Sequence, residues 1–185
     1  MQIGGSANNT VAGNTIAFSE ADGVVILEDS NFPNADDNLL SGNSIFSNGR
    51  LGINLGNDGV TVNDADNPNT GQVDPDSDTG PNELQNFPVL SSAKTGKKGT
   101  TITGKLNGTP NKTFTLQFFS NPSGGDEGQK PIGQVGVTTD ASGNAFFSFK
   151  PDQKVSKGKI TATARDSAIL NTSEFSAARK VVSKR

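Results

Sequence analysis

The sequence predicts an all-β protein, and three observations carry that prediction. The N-terminal part repeats itself after 29 positions, the C-terminal part contains seven alternating segments separated by turn residues, and no helical spacing of apolar residues is sustained over the first ninety positions. We therefore predict a short right-handed parallel β-helix followed by an immunoglobulin-like β-sandwich. The predicted division is 1–62 for the coils, 63–88 for an acidic junction loop and 89–185 for the sandwich.

The repeat consists of GNTIAFSEADGVVI (Gly13–Ile26) and GNSIFSNGRLGINL (Gly42–Leu55). Short alternating runs in both copies have the two-residue period of a strand, and glycine and asparagine separate the runs, as is typical of corners. Each copy is predicted to be one coil that stacks on the next. The segment EDSNFPNA (Glu28–Ala35) is predicted to bulge from a coil as a loop, because Pro33 cannot donate to a ladder.

Charge is distributed unevenly along the chain. Residues 1–90 contain thirteen acidic residues and one base, Arg50, whereas residues 91–185 contain fifteen bases and six acids, so net charges of −12 and +9 combine to −3. Cysteine and histidine are absent, which removes disulfides and most catalytic and metal-binding templates. No apolar span of twenty residues is present, so no membrane insertion is expected. The composition favours an extracellular or cell-surface location.

The acidic middle of the chain is a candidate calcium site. Aspartates at alternate positions, with a glycine after them, could turn several hard oxygen ligands toward one centre, and calcium takes six to eight such ligands. The spacing is not that of an EF-hand, and an acidic solvated linker explains the same residues equally well. A bound calcium ion would stiffen the junction rather than catalyse. The candidate ligands are Asp64, Asp66, Asp74, Asp76, Asp78 and Asn82.

Strand alternation is briefly present at Val60–Val62, before the acidic segment, and resumes after it from Val89. In the clearest segment, Phe114, Leu116 and Phe118 fall on one face, as core residues of a strand do. Seven such strands in about 95 residues indicate a sandwich. The seven predicted strands are Val89–Lys94, Thr100–Leu106, Lys112–Ser120, Pro131–Thr139, Asn144–Lys150, Lys159–Asp166 and Ser173–Val182.

Several phrases of the sequence carry a family resemblance, among them TGPNELQNFPVL, ITGKLNGTPNKTFTLQFFSNPS, DEGQ, VTTDASGNAFFSF and NTSEFSA. Together they resemble the C-terminal modules of bacterial secreted right-handed parallel β-helix surface proteins, over almost the whole chain. The resemblance implies a cell-surface or adhesin-like role. It also implies cysteines where this chain has Gly124 and Ala177, so the stabilising disulfide of similar sandwiches is excluded here.

Catalysis is not expected. Parallel β-helix enzymes that act on polysaccharides use clustered carboxylates, and Asp36–Asp37 is the only adjacent acidic pair on the repeats outside the predicted loop Glu28–Ala35. We predict that this pair lies in a solvated turn. Two coils also make a groove that is too short for a polymer substrate.

Two functions remain, and both are non-enzymatic. The first is a structural protein that self-associates, because a stack of few coils leaves unpaired ends; an acidic coil meeting a basic sandwich would give a head-to-tail filament or surface layer. The second is an adhesin or polysaccharide-binding module. No specific nucleic-acid site is expected, since tryptophan and tyrosine are absent. An anionic polysaccharide could meet the lysines at 94, 97, 98, 105 and 112.

Overall fold

The computed structural model describes residues 1–31, 35–63 and 79–184. The predicted all-β class is confirmed for these residues, which form fourteen strands and one short 3-10 turn, Pro81–Leu84. No helix in the described residues is long and apolar enough to span a membrane. The predicted loop Glu28–Ala35 lies partly outside the described residues.

The N-terminal part winds its short strands into stacked coils. Each strand pairs in parallel with a strand of the next coil, in the order β1-β4-β7, β2-β5 and β3-β6. The register places Val11 opposite Leu40 and Ile16 opposite Ile45, as the repeat predicts. The strands are β1 Gln2–Gly4, β2 Thr10–Ala12, β3 Thr15–Ala17, β4 Val24–Leu27, β5 Leu39–Ser41, β6 Ser44–Phe46 and β7 Ile53–Leu55.

We call residues 1–23 the first coil and residues 24–52 the second coil. Aliphatic side chains stack inside them, and glycines allow the backbones to approach closely at the corners. A Cβ atom on Gly49 would lie 2.4 Å from the carbonyl oxygen of Glu20, and one on Gly23 would lie 2.7 Å from that of Gly52. The core of the coils consists of Val24, Ile26, Ala35, Leu40, Ile45, Ile53 and Leu55.

The C-terminal part is one seven-stranded sheet in the order β11-β10-β13-β14-β8-β9-β12. All its pairs are antiparallel except β14 with β8. The sheet curls until its edge strands β11 and β12 approach each other, since a Cβ atom on Gly133 of β11 would lie 2.8 Å from the ring of Phe149 on β12. The same ring stacks on Phe118 of β10 at 4.4 Å. The result is a nearly closed, barrel-like sheet. Its strands are β8 Val89–Gly96, β9 Gly99–Asn107, β10 Thr113–Asn121, β11 Lys130–Thr138, β12 Asn144–Phe149, β13 Lys159–Asp166 and β14 Arg179–Ser183.

Six of the seven strands predicted for this part are present, and the last one differs. The predicted strand Ser173–Val182 is a strand only from Arg179 onward. Before that, hydroxyl groups replace half of the backbone ladder, since the N–H groups of Ala164 and Ala162 donate to the side chains of Ser173 and Ser176. The N–H groups of these serines still donate to the carbonyl oxygens of Ala164 and Ala162. This segment is therefore bound to β13 on one side and is available to contact the coils on the other.

The predicted strand character of Val60–Val62 is also wrong. The N–H of Thr61 donates to the carboxylate of Glu174, 3.0 Å away, rather than to a neighbouring strand. Val60 and Val62 are exposed. The buried side chain of Glu174 holds the chain at this point, and the hydroxyl group of Thr61 donates to the carbonyl oxygen of Leu55.

Candidate functional site at the junction and on the first coil

Asn82 joins three segments of the chain at the junction. Its side chain is fully buried, and its Oδ1 accepts the N–H of Asn38 at 3.0 Å. Its Nδ2 donates to the carbonyl oxygens of Asn38 and Thr172, each 2.9 Å away. The residue has φ 51°, in the left-handed region that asparagine tolerates better than most residues. Asn82 thus clamps the second coil to the segment that precedes β14.

The predicted calcium site stays a prediction. Its five aspartates, Asp64, Asp66, Asp74, Asp76 and Asp78, lie outside the described residues. Only Asn82 is described, and its side chain makes the three hydrogen bonds given above. Within residues 1–31, 35–63 and 79–184, no three acidic side chains are grouped so as to hold a metal ion.

Asparagines connect one coil to the next. Asn38 accepts the N–H of Asn9 at 3.1 Å and donates to the carbonyl oxygen of Ser6 at 3.0 Å. Asn43 repeats the arrangement, since it accepts the N–H of Asn14 at 2.9 Å and donates to Val11 at 2.7 Å. Each of these buried side chains therefore satisfies two backbone groups of the preceding coil.

Side chains of the C-terminal sheet cover the opposite side of the second coil, where a further coil would otherwise stack. The backbone of Ile45 also exchanges two hydrogen bonds of 2.8 Å with Gly128. The sheet therefore supplies acceptors that complete the second coil. The side-chain contacts are Leu40 N to Thr172 Oγ1 at 3.0 Å, Gly42 N to Gln117 Oε1 at 2.9 Å, and Asn48 Nδ2 to Glu127 Oε1 at 2.7 Å.

Glu174 is the most deeply buried acid of this contact. One of its oxygens accepts the N–H of Leu55 at 2.9 Å, and the other accepts the N–H of Thr61. Burial raises the pKa of this carboxyl to about 7, although the two N–H groups act in the opposite direction; Asp58 and Asp22 add to the rise. The contact between Glu174 and β7 is thus sensitive to protonation near neutral pH.

Glu83 lies beside the aspartate pair that the sequence predicts in a solvated turn. That prediction is wrong, because Asp36 and Asp37 are half-buried at the junction. An Asp36 oxygen accepts the N–H of Glu83, and the N–H of Asp37 donates to Asn171. Burial and the charge of Asp36 raise the pKa of Glu83, while the hydrogen bond from Asn171 lowers it. The pair serves to hold the junction together.

Phe175 packs into a slot between the two parts. Its ring meets Phe119 edge-on at 5.2 Å. A Cβ atom on Gly52 or on Gly128 would lie 2.7 Å or 2.5 Å from the ring. Glycine at both positions is therefore required for this ring to fit.

A cavity of about 300 Å³ lies beside this ring. Its wall is mainly apolar, and the charged groups at its edge come from both parts of the chain. The lining residues are Arg50, Leu51, Gly52, Ile53, Val60, Phe87, Asp126, Glu127, Glu174, Phe175, Ser176 and Ala177. Asp126 also forms an ion pair with Lys159 at 2.6 Å, the only ion pair among the described residues.

The free side of the first coil contrasts with the completed second coil. Ile3, Val11 and Ile16 are only partly buried, whereas their counterparts in the next coil are 0–5 % exposed. Phe18 is 77 % exposed, and its ring contacts only Phe46 among the described aromatic rings. No described strand pairs with the outer edge of β1, β2 or β3. We call these four side chains and three strand edges the first-coil surface.

Asn9 and Asn14 belong to the same surface. They occupy the positions in the repeat that correspond to Asn38 and Asn43, whose side chains hydrogen-bond to the backbone of the preceding coil. Nδ2 of Asn9 donates to Ser6 and to Oδ1 of Asn38, and Nδ2 of Asn14 donates to the carbonyl oxygen of Ala12 and to Oδ1 of Asn43. Their Oδ1 atoms, which in Asn38 and Asn43 accept an N–H of the preceding coil, accept no hydrogen bond from a described residue.

The structure divides the five lysines that the sequence groups together. Lys94, Lys97 and Lys98 lie in two neighbouring concavities on the far half of β8, whereas Lys105 and Lys112 line neither. Sequence reasoning missed the residues that join the two parts, above all Gln117, Glu127 and Glu174. The one available signal was a glutamate within NTSEFSA, a stretch that otherwise alternates like a strand.

Comparisons with known proteins add little to this geometry. No family model matches the chain, and no curated protein matches it. Among solved structures, the chain is similar to the crystal structure of CHIR-AB1, at 19 % sequence identity and a TM-score of 0.34. The likeness covers 54 % of this chain and 98 % of that one. At this level the likeness carries no argument about function.

Proposed function

We propose that this chain is a non-enzymatic, extracellular structural protein of a cell surface, which associates with a second copy of itself through the first-coil surface. Its architecture in this proposal is two coils of a right-handed parallel β-helix joined to an immunoglobulin-like sandwich. The observation that carries the proposal is the free side of the first coil. The resemblance to secreted β-helix surface proteins supports the location.

The first-coil surface combines unpaired strand edges with exposed apolar side chains, as an interface does. Open strand edges present rows of N–H and C=O groups that pair readily with another chain. In each copy, association would bury the side chains of Ile3, Val11, Ile16 and Phe18. Each buried side chain would contribute about 1 kcal/mol or more to the free energy of association. Few acids lie on the first coil, so charge repulsion between two such surfaces is modest.

The other side of the coils favours a particular geometry. It is covered by side chains of the same chain, namely Asn82, Thr172, Gln117, Glu127 and Glu174. A contact between coils of two copies therefore joins first coil to first coil. That arrangement is two-fold and closed, and it differs from the head-to-tail filament that the sequence predicts.

The salt dependence of self-association distinguishes the two geometries. A head-to-tail contact between the acidic coils and the basic sheet is driven by opposite charges and weakens as salt rises. A contact between two first coils is driven by apolar burial and backbone pairing, so salt leaves it intact or strengthens it.

The test is sedimentation of the chain over a range of concentrations, at about 0.05 M and about 0.5 M salt. We expect a dimer that persists at high salt and that Val11→Lys converts to a monomer with an unchanged circular dichroism spectrum. The matched control is Phe146→Lys, which removes an 81 % exposed apolar side chain from β12 and should leave the dimer intact. A folded wild-type monomer at every concentration would contradict the proposal.

The second candidate function, an adhesin that binds polysaccharide, is favoured by a separate observation on the C-terminal sheet. Basic side chains gather at one end of that sheet, far from the first coil in sequence.

A further inference from the structure

Two concavities adjoin each other along β8 and β14, on the half of these strands that leads away from the junction. One measures about 400 Å³ and the other about 370 Å³. The first is lined by Ser92, Ala93, Lys94, Ala178, Arg179, Lys180 and Val182. The second is lined by Gly96, Lys97, Lys98, Gly99, Thr101, Lys150 and Lys184. Both volumes lie within the range of small-ligand sites.

The backbone fixes the positions of these cations. Gly96 pairs with Gly99, so Lys97 and Lys98 form the tip of a two-residue hairpin. The N–H of Lys184 donates to the carbonyl oxygen of Thr95 at 2.7 Å, which extends the ladder between β14 and β8. The Lys184 side chain lies across Gly96, since a Cβ on that glycine would be 3.6 Å from it.

The two concavities have cationic walls without counter-charges. Neither lining contains an acidic residue, and none of these cations forms an ion pair with a described residue. Such a surface attracts anions over a distance set by the ionic strength. We call it the basic end, defined by the exposed side chains of Lys94, Lys97, Lys98, Lys150, Arg179, Lys180 and Lys184.

We propose that the basic end binds an anionic polysaccharide, whose carboxylate or sulfate groups lie across both concavities. The linings are continuous along β8 and β14, so that one linear chain can contact both. The hydroxyl group of Thr101 adds a polar partner for sugar hydroxyls.

The composition of the basic end favours a polysaccharide over a nucleic acid. Neither lining contains an aromatic side chain on which a base could stack, and sequence-tolerant binding of single strands depends on such stacking. Six of the seven cations are lysines, which act as flexible point charges, whereas phosphate recognition favours the bidentate fork of arginine. Dispersed carboxylates or sulfates suit this arrangement.

The experiment measures binding of three probes by calorimetry: alginate for carboxylates, dextran sulfate for sulfates, and neutral dextran as the uncharged control. The test variant combines Lys97→Gln, Lys98→Gln, Lys150→Gln and Lys184→Gln. The control variant combines Lys105→Gln, Lys112→Gln, Lys130→Gln and Lys157→Gln, four exposed lysines outside the basic end. Both variants change the net charge by the same amount.

We expect the test variant to bind at least one anionic probe at least about tenfold more weakly than the wild type, and the control variant to stay within about threefold. Neutral dextran should not bind. The affinities of alginate and dextran sulfate are compared at equal salt. The probe that binds more tightly shows whether the basic end prefers carboxylate or sulfate groups.

Three results would overturn the proposal: equal losses in the two variants, no binding of either anionic probe, or tighter binding of a single-stranded oligonucleotide than of both anionic probes. The measurement is repeated in the Val11→Lys background. Binding that persists there with a monomeric chain shows that this site does not depend on the proposed self-association, and failure of one proposal is then distinguishable from failure of the other.

Discussion

Replacement of Asn82 tests the junction most sharply, because one buried amide holds three segments. Asn82→Ala removes all three hydrogen bonds and leaves one N–H and two carbonyl oxygens, of Asn38 and Thr172, without that partner. At about 1–2 kcal/mol for each group, the cost is about 3–6 kcal/mol. Alanine at φ 51° adds about 1 kcal/mol.

Asn82→Asp keeps the shape and changes the electrostatics. One oxygen can still accept the N–H of Asn38, but the other faces two carbonyl oxygens 2.9 Å from the position of Nδ2. An uncompensated buried charge costs about 3–5 kcal/mol at neutral pH. Acid should recover part of that loss, because a protonated carboxyl can donate to one carbonyl.

The assay is equilibrium unfolding in urea, followed by circular dichroism because the chain has no tryptophan or tyrosine. With a slope of about 2 kcal/mol per molar, a loss of 4 kcal/mol lowers the midpoint by about 2 M. The matched control is Asn111, which is exposed and also has positive φ, 57°. Asn111→Asp should shift the midpoint little, and Asn111→Ala should show only the backbone cost. Equal midpoints for Asn82→Asp and Asn111→Asp, with no recovery in acid, would refute the reasoning.

Further predictions concern Glu174 and the slot for Phe175. Because the folded-state pKa of Glu174 is raised from 4.5 to about 7, its contribution to stability is fully present below pH 4.5 and is lost as the pH rises through 7, by about 3 kcal/mol in total. Urea unfolding at several pH values should show this fall in the wild type and a much flatter profile in Glu174→Gln; parallel profiles would contradict it. Gly52→Ala should lower the thermal midpoint markedly, since the new Cβ meets the Phe175 ring at 2.7 Å, whereas Gly125→Ala, with no atom within 4 Å, should not. Comparable midpoints for the two alanine variants would show that the slot tolerates a side chain.

The repeat and the strands could be predicted from the sequence because both depend on the spacing of apolar residues close together along the chain. Val11 pairs with Leu40 and Ile16 with Ile45 because the apolar positions recur at a constant interval and each must stack on an equivalent residue. The strand that contains Phe114 was predictable because its alternation fixes which face is buried.

The junction could not be predicted in the same way. Glu174 accepts the N–H of Leu55, a residue 119 positions earlier, and Asn38 donates to Asn82 over 44 positions. Such side-chain to backbone bonds depend on how two independently patterned parts are placed against each other. The alternation of residues predicted a strand from Ser173. Alternation alone does not reveal that serine hydroxyl groups accept hydrogen bonds that a strand's carbonyl oxygens would otherwise accept.

The central claim is that the first-coil surface joins two copies of the chain, and amide hydrogen exchange tests it residue by residue. Exchange is followed at about 5 µM and about 200 µM protein, at high salt, with β12 of the C-terminal sheet as an internal reference. The account predicts that amides of β2 and β3 exchange more slowly at the higher concentration, while those of β12 do not change. Exchange of β2 and β3 that is independent of concentration would contradict it.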